Sequence, residues 1–200
     1  MMKALICPAC GAEVFSAGQE VRPPCSMCPS PVLPRRDRLA RGGVPERFRD
    51  PWPGGELPAK VREWAALDAW ALVLTGDPGT GKSHLSTQVA AELTDEGGEV
   101  CWLYGPKISD DRVDAARGHV VILDDLGAAE RPGGWATAEW AYVLRLVNDV
   151  YNSKGRQRLV TTTNLGPTGL LKACPFPALP DRLHSATWHS VKGPSLRVRV

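Results

Sequence analysis

Thr75-Gly76-Asp77-Pro78-Gly79-Thr80-Gly81-Lys82-Ser83 constrains this chain more than any other stretch, because it matches G-x-x-x-x-G-K-[ST] in the flanking context that pattern needs. Ala71-Leu72-Val73-Leu74 before it is a continuous apolar run that reads as a buried parallel strand. His84 to Glu96 after it keeps Leu85, Val89, Ala90 and Leu93 at helical spacing. A strand that turns through glycines into a helix gathers backbone N–H groups around one point, with the positive end of the helix dipole behind them. Such a point holds polyphosphate, so ATP is the expected ligand. Gly76, Gly79 and Gly81 allow the backbone angles and close approach, and Asp77, Pro78 and Thr80 complete the loop. Lys82 reaches the β and γ phosphates, and the Ser83 hydroxyl ligates Mg²⁺.

His119 to Gly127 supplies a second buried strand that ends in Asp124 and Asp125. In a phosphate-loop protein such a strand is expected beside the first, so that its C-terminal carboxylates face the bound phosphates. Asp124 is expected to hold Mg²⁺ and Asp125 to polarise the attacking water. Aspartate at the second position reaches less far than glutamate, so hydrolysis is expected to be slow or dependent on assembly. Trp140, Val143, Leu144, Val147, Val150 and Tyr151 trace one face of a helix that Lys154-Gly155 ends. Leu159 to Thr163 reads as a third core strand, and Asn164 at its end could orient the lytic water. Further on, Arg182 and Arg197 flank a last strand expected over 186–191; each is either a surface charge or a group for a transferring phosphoryl, which a planar guanidinium fits.

At the other end, Cys7-Pro8-Ala9-Cys10 and Cys25-Ser26-Met27-Cys28 form two C-x-x-C knuckles whose spacing lets four thiolates converge on one zinc ion. A structural site is expected, since four thiolates leave no open position, with a short hairpin between the knuckles over 12–15 and 20–22. About thirty residues with so few large apolar side chains need the metal to fold. Cys101 and Cys174 read as small buried hydrophobes. The domains expected are a zinc-binding module over 1–30, an extended linker over 31–57 and an ATPase core over 58–200. The linker reading rests on Pro and Gly content and on Arg35, Arg36, Arg38, Arg41, Arg47 and Arg49, which are either solvated or a phosphate-contacting arm for single-stranded nucleic acid. A helix is expected from Leu57 to Trp70 through Val61, Trp64, Ala65 and Leu67, with Trp64 in the core.

The fold class expected is therefore α/β, a parallel sheet flanked by helices with a small zinc-ribbon-like module. The 43% hydrophobic content suits one such domain, and the net charge of +2 neither demands nor excludes nucleic acid. No apolar run is long enough for a membrane span and no signal-peptide pattern is present, so a cytoplasmic protein is expected.

From about Val44 onward the chain resembles the AAA+ ATPases of the DnaC and IstB group, the helicase loaders and transposition helpers. The resemblance is carried by Val44-Pro45-Glu46-Arg47-Phe48-Arg49, Gly76 to Leu85, Ile122-Leu123-Asp124-Asp125-Leu126-Gly127, Thr162-Thr163-Asn164-Leu165, Asp181-Arg182-Leu183 and Lys192 to Arg197. It implies Asn164 as sensor 1, Arg182 as an arginine finger offered to a neighbouring subunit, and Arg197 as sensor 2. It also implies an ATP-dependent homo-oligomer that grips single-stranded DNA and delivers a partner, either a replicative DnaB-type helicase or a transposase. Some loaders dock on the helicase through an N-terminal zinc module, which the cysteine cluster fits. Two departures stand out: only Gly105 to Gly118 connects the second strand to the Asp124 strand, and no helical lid follows Arg197. A loader is the reading adopted, with a transposition helper or an adaptor switched by ATP binding as alternatives; a small-molecule kinase would need an arginine-rich lid and an acceptor pocket that the sequence does not display.

Overall fold

A computed structural model of the chain describes residues 3–6, 13–16, 33–67, 69–95, 97–128 and 134–194, the first two stretches by backbone alone. The chain divides into two units, Met1–Leu33 and Pro34–Val200. In the first, β1 (Lys3–Ile6) and β2 (Glu13–Ser16) form an antiparallel pair that aligns Lys3 with Ser16 and Ile6 with Glu13. The hairpin thus differs from the one expected between the knuckles: its first strand precedes Cys7. Cys7, Cys10, Cys25 and Cys28 lie outside the described residues, as does the stretch 20–22 expected to pair.

The second unit is built on a five-stranded parallel sheet. Its strands are β3 (Ala71–Thr75), β4 (Val100–Tyr104), β5 (Val120–Leu126), β6 (Arg158–Thr163) and β7 (Thr187–Ser190), in the order β4-β5-β6-β3-β7. Strands buried on both faces distribute successive residues between two cores, as the pleat requires. Ala71, Val73, Val121, Leu123 and Leu159 enter one core, with α5 (Thr137–Asn152), α6 (Pro167–Ala173), α7 (Ala178–His184) and the short α4 (Asp110–Asp114) packed over it. Leu72, Leu74, Val120, Ile122 and Val160 enter the other, covered by α1 (Arg35–Arg41), α2 (Ala59–Ala66) and α3 (Lys82–Leu93).

The segment expected as an extended linker is folded from Pro34 on. Leu39, Val44 and Leu57 are buried in the α1-α2-α3 core, and Trp102 N–H donates to the Gly42 carbonyl at 2.8 Å, which ties this segment to β4. Three of its arginines are engaged within the fold. Arg36 pairs with Glu46 and Asp50, buried Arg38 with Asp95, and Arg49 donates to the Val44 carbonyl. Arg36, Arg38 and Arg49 are therefore not part of a free phosphate-contacting arm. Composition misled here because three buried side chains and a handful of carboxylates suffice to fold a Pro- and Gly-rich stretch against an existing core. The helix expected over 57–70 stops at Ala66, and Leu67 is 63% exposed.

Candidate nucleotide site

The phosphate loop leaves β3 at Thr75 and enters α3 at Lys82. Gly76, Gly79 and Gly81 have φ of 146°, 88° and 93°, which only glycine adopts without strain. At Gly76 there is a second reason: a Cβ would collide with the Val191 carbonyl oxygen, and Val191 N–H itself donates to the Thr75 carbonyl at 2.7 Å. The edge strand β7 therefore presses directly on the loop. Thr80 Oγ1 donates to the Asp77 carbonyl, closing the loop on itself. Lys82 is 5% exposed, and its Nζ donates to the Gly76 and Asp77 carbonyls at 2.9 and 2.8 Å, inside the curve of the loop.

Asp124 stands at the C-terminal end of β5, which β6 separates from β3 where adjacent strands were expected; it is 3% exposed, accepts a hydrogen bond from Thr162 Oγ1 at 2.7 Å and has the Ser83 hydroxyl near it. Burial pushes its pKa up to about 6, with Asp125 beside it adding to the rise, while the hydroxyls of Thr162 and Ser83 and the Arg47 guanidinium oppose it. A buried carboxylate with a serine hydroxyl near it is a pair of hard oxygen donors, and these donors fit Mg²⁺. Asp125 is half-buried, with φ of 58° in the left-handed region, and its N–H donates to Thr162 Oγ1 at 2.9 Å. Gly105 passes close beneath: a Cβ there would stand 2.9 Å from both the Asp124 and Asp125 carbonyl oxygens.

Asn164 follows the last residue of β6 and is exposed; Thr75 Oγ1 donates to the Leu165 carbonyl at 3.1 Å, which holds this end of β6 against the root of the phosphate loop. Lys82, Ser83, Asp124, Asp125 and Asn164 are thus all at the C-terminal ends of three strands. Arg182 is elsewhere. Its guanidinium lies over the Tyr151 ring at 4.7 Å, and Tyr151 meets Trp70 edge to face at 5.2 Å, just before β3 begins. That is the N-terminal edge of the sheet, on the order of 15 Å from the loop across the five residues of β3. Arg197 lies outside the described residues.

Two residues matter here that motif spacing did not single out for this site. Thr162 contacts both acids. Arg47 lies over the Phe48 ring at 4.6 Å and acts on the Asp124 carboxyl; Phe48 packs edge-on against His84 at 5.4 Å, and its carbonyl accepts from Thr87 Oγ1 at 2.9 Å. Being in the α1-to-α2 segment, Arg47 read as part of the linker, and only the packing of that segment on α3 brings it near the acids.

Residues 68–165 match the family model described as nSTAND3, Novel STAND NTPase 3. No curated protein matches the sequence. Among solved structures, DnaI is similar with a TM-score of 0.59 at 20% identity, covering 76% of this chain and 93% of that one. The DnaC helicase loader gives 0.52 at 14% identity, with 74% and 100% covered. Domain III of the Thermotoga maritima replication initiation protein DnaA gives 0.53 at 16% identity, with 67% and 60% covered. At these identities the likeness is one of fold: the second unit is an α/β domain with a five-stranded parallel sheet flanked by helices and a phosphate loop, and it shares that fold with these three proteins.

Proposed function

We propose that this protein binds and hydrolyses ATP and acts in DNA replication as a loader of a replicative DnaB-type helicase. The observation that carries the proposal is the meeting of Lys82, Ser83 and Asp124 at one end of a sheet whose fold is shared with a helicase loader and a replication initiation protein. Lys82 and the loop amides would hold the β and γ phosphates, with Ser83 and Asp124 supplying the metal's protein ligands. The Mg²⁺ that Ser83 and Asp124 would hold would supply charge neutralisation for phosphoryl transfer. Asp125 would accept the proton of the attacking water, and Asn164 would orient that water. Arg182 cannot reach its own chain's phosphates from the opposite edge of the sheet, which supports its assignment as a finger that enters a neighbouring subunit's site in an ATP-dependent homo-oligomer. Single-stranded DNA is the expected stimulus. The four N-terminal cysteines would hold one zinc ion and make the first unit a docking module for the helicase; Arg197 is retained as the sensor 2 position.

Lys82→Ala should abolish binding of a fluorescent ATP analogue in a folded protein, because the loop loses its cation. Unchanged affinity would overturn the site. With ATP present, the full chain should retain a DnaB-type helicase on a column and should ignore a transposase; the reverse result would assign it to the transposition helpers.

A further inference from the structure

β5 and β6 pair regularly up to Leu123 opposite Thr161 and resume at Leu126 opposite Thr163. Between these two rungs β5 has Asp124 and Asp125, and β6 has only Thr162. The extra residue makes a bulge, and Asp125 takes it up with its left-handed φ of 58°. A bulge leaves backbone groups unpaired by the ladder. Here the Thr162 side chain fills the gap: its one proton goes to Asp124 Oδ1 at 2.7 Å, and its oxygen accepts the Asp125 N–H at 2.9 Å. Thr162 is fully buried, so no water competes for either bond.

We propose that Thr162 is the positioning residue for both acids of the site, one hydroxyl fixing the rotamer of Asp124 and the backbone turn at Asp125. This rests on the ATPase reading of the same site for its consequence, while the positioning itself concerns the chain alone. The flanking threonines make the distinction sharp. Thr161 Oγ1 donates to the Leu123 carbonyl at 2.9 Å, and Thr163 Oγ1 donates to the Leu126 carbonyl at 2.8 Å while accepting the Leu165 N–H at 3.0 Å, so neither is bonded to Asp124 or Asp125. A valine has the shape of threonine without its hydroxyl, and it would leave the Asp125 N–H without its acceptor and Asp124 free to rotate away from Ser83.

The test compares Thr162→Val, Thr162→Ser and, as a control for losing one buried hydroxyl on this strand, Thr161→Val in the full-length protein. Two readouts need no turnover: exchange of the Asp125 amide in metal-free protein, and binding of Mn²⁺ with a non-hydrolysable ATP analogue. Thr162→Val should lose protection at Asp125 and weaken Mn²⁺ binding by roughly tenfold or more, as outer-layer partners of metal ligands do, with Thr162→Ser restoring both and Thr161→Val altering neither. In turnover the valine should lower kcat by a similar factor and leave the KM for ATP nearly unchanged. Thr162→Val behaving like Thr161→Val in exchange and Mn²⁺ affinity would overturn the proposal, as would failure of serine to restore them. Should the valine variant not fold, the unmutated chain decides: an Asp125 amide as protected as its β5 neighbours supports the assignment, and one exchanging like an exposed turn overturns it. Absence of hydrolysis in the unmutated chain would count against the ATPase reading and leave the exchange result standing.

Discussion

Asp124 faces opposing demands, since a carboxylate fit to ligate a cation is held where burial disfavours its charge. Its pKa is pushed up from the ordinary 3.8 to about 6, so between those values the folded chain binds a proton that the unfolded chain has released. Stability from this group is therefore fully present below about pH 4 and is lost as pH rises through about 6. A shift of about two units corresponds to roughly 3 kcal/mol, an upper figure for what ionised Asp124 costs the metal-free fold at neutral pH. Asp124→Asn should accordingly raise the urea midpoint at pH 7 in metal-free protein and flatten the pH dependence between 4 and 6. An unchanged midpoint would mean that the carboxylate finds its counter-charge inside the fold. The identity of this residue as the acid beside the phosphate loop was legible in sequence, because an apolar run ending in two acids has few other meanings once a loop of that type is present. The role of Thr162 was not. It depends on a bulge, and a bulge is a matter of register between two strands that no local pattern displays.

At the scale of elements, α2 shows how a single side chain can fasten a helix to the sheet. Arg158, the first residue of β6, donates to the carbonyls of Trp64, Ala65 and Ala69 at 2.6, 3.0 and 3.1 Å and lies 3.9 Å from the centre of the Trp64 ring. Those carbonyls are at or beyond the C-terminal end of α2, where the helix dipole favours a cation. Arg158→Ala should destabilise the second unit by about 3 kcal/mol, since it strips charged hydrogen bonds from three partly buried carbonyls and uncovers Trp64. Lysine should recover less than half of that loss, because a point charge cannot serve three acceptors through a planar fork. Chemical denaturation distinguishes the cases, and an alanine variant as stable as the parent would show α2 to be held by apolar packing alone. The strands and the long helices were legible because apolar runs and the 3.6 period mark them: α5 buries Trp140, Val143, Val147 and Val150 as expected and Leu146 besides, while Leu144 is only partly buried and Tyr151 is exposed. The α1-to-α2 segment was illegible for the opposite reason. It is anchored by isolated residues, Leu39, Val44 and Leu57, and by the Arg38–Asp95 ion pair, whose partner lies far along the chain.

At the scale of the whole molecule, the phosphate loop and Arg182 lie at opposite edges of one sheet, so the proposed role of Arg182 as a finger requires that hydrolysis be completed between subunits. Arg182 rests on Tyr151, which is 44% exposed, so the guanidinium is held at a surface. Arg182→Ala should bind ATP almost normally and lose most turnover, since an arginine finger contributes roughly 10³ to 10⁵ in rate. The N-terminal unit enters at the same scale: zinc analysis should give about one equivalent per chain, and replacing Cys25 and Cys28 with serine should abolish helicase retention while basal ATPase activity persists. Mixing two inactive chains tests the shared site most directly. An Arg182→Ala chain keeps its own phosphate loop and Asp125, whereas an Asp125→Asn chain keeps its arginine but cannot activate water. Each alone places a defect at every interface. Together they form some interfaces in which the intact loop of one chain meets the intact arginine of the other, so activity should return and should peak near equal proportions. The rise should depend on total protein concentration and increase with single-stranded DNA if DNA promotes assembly. A mixture that co-assembles on a sizing column yet hydrolyses no faster than its components would place Arg182 outside the reaction, and the finger would then have to be sought elsewhere on the surface.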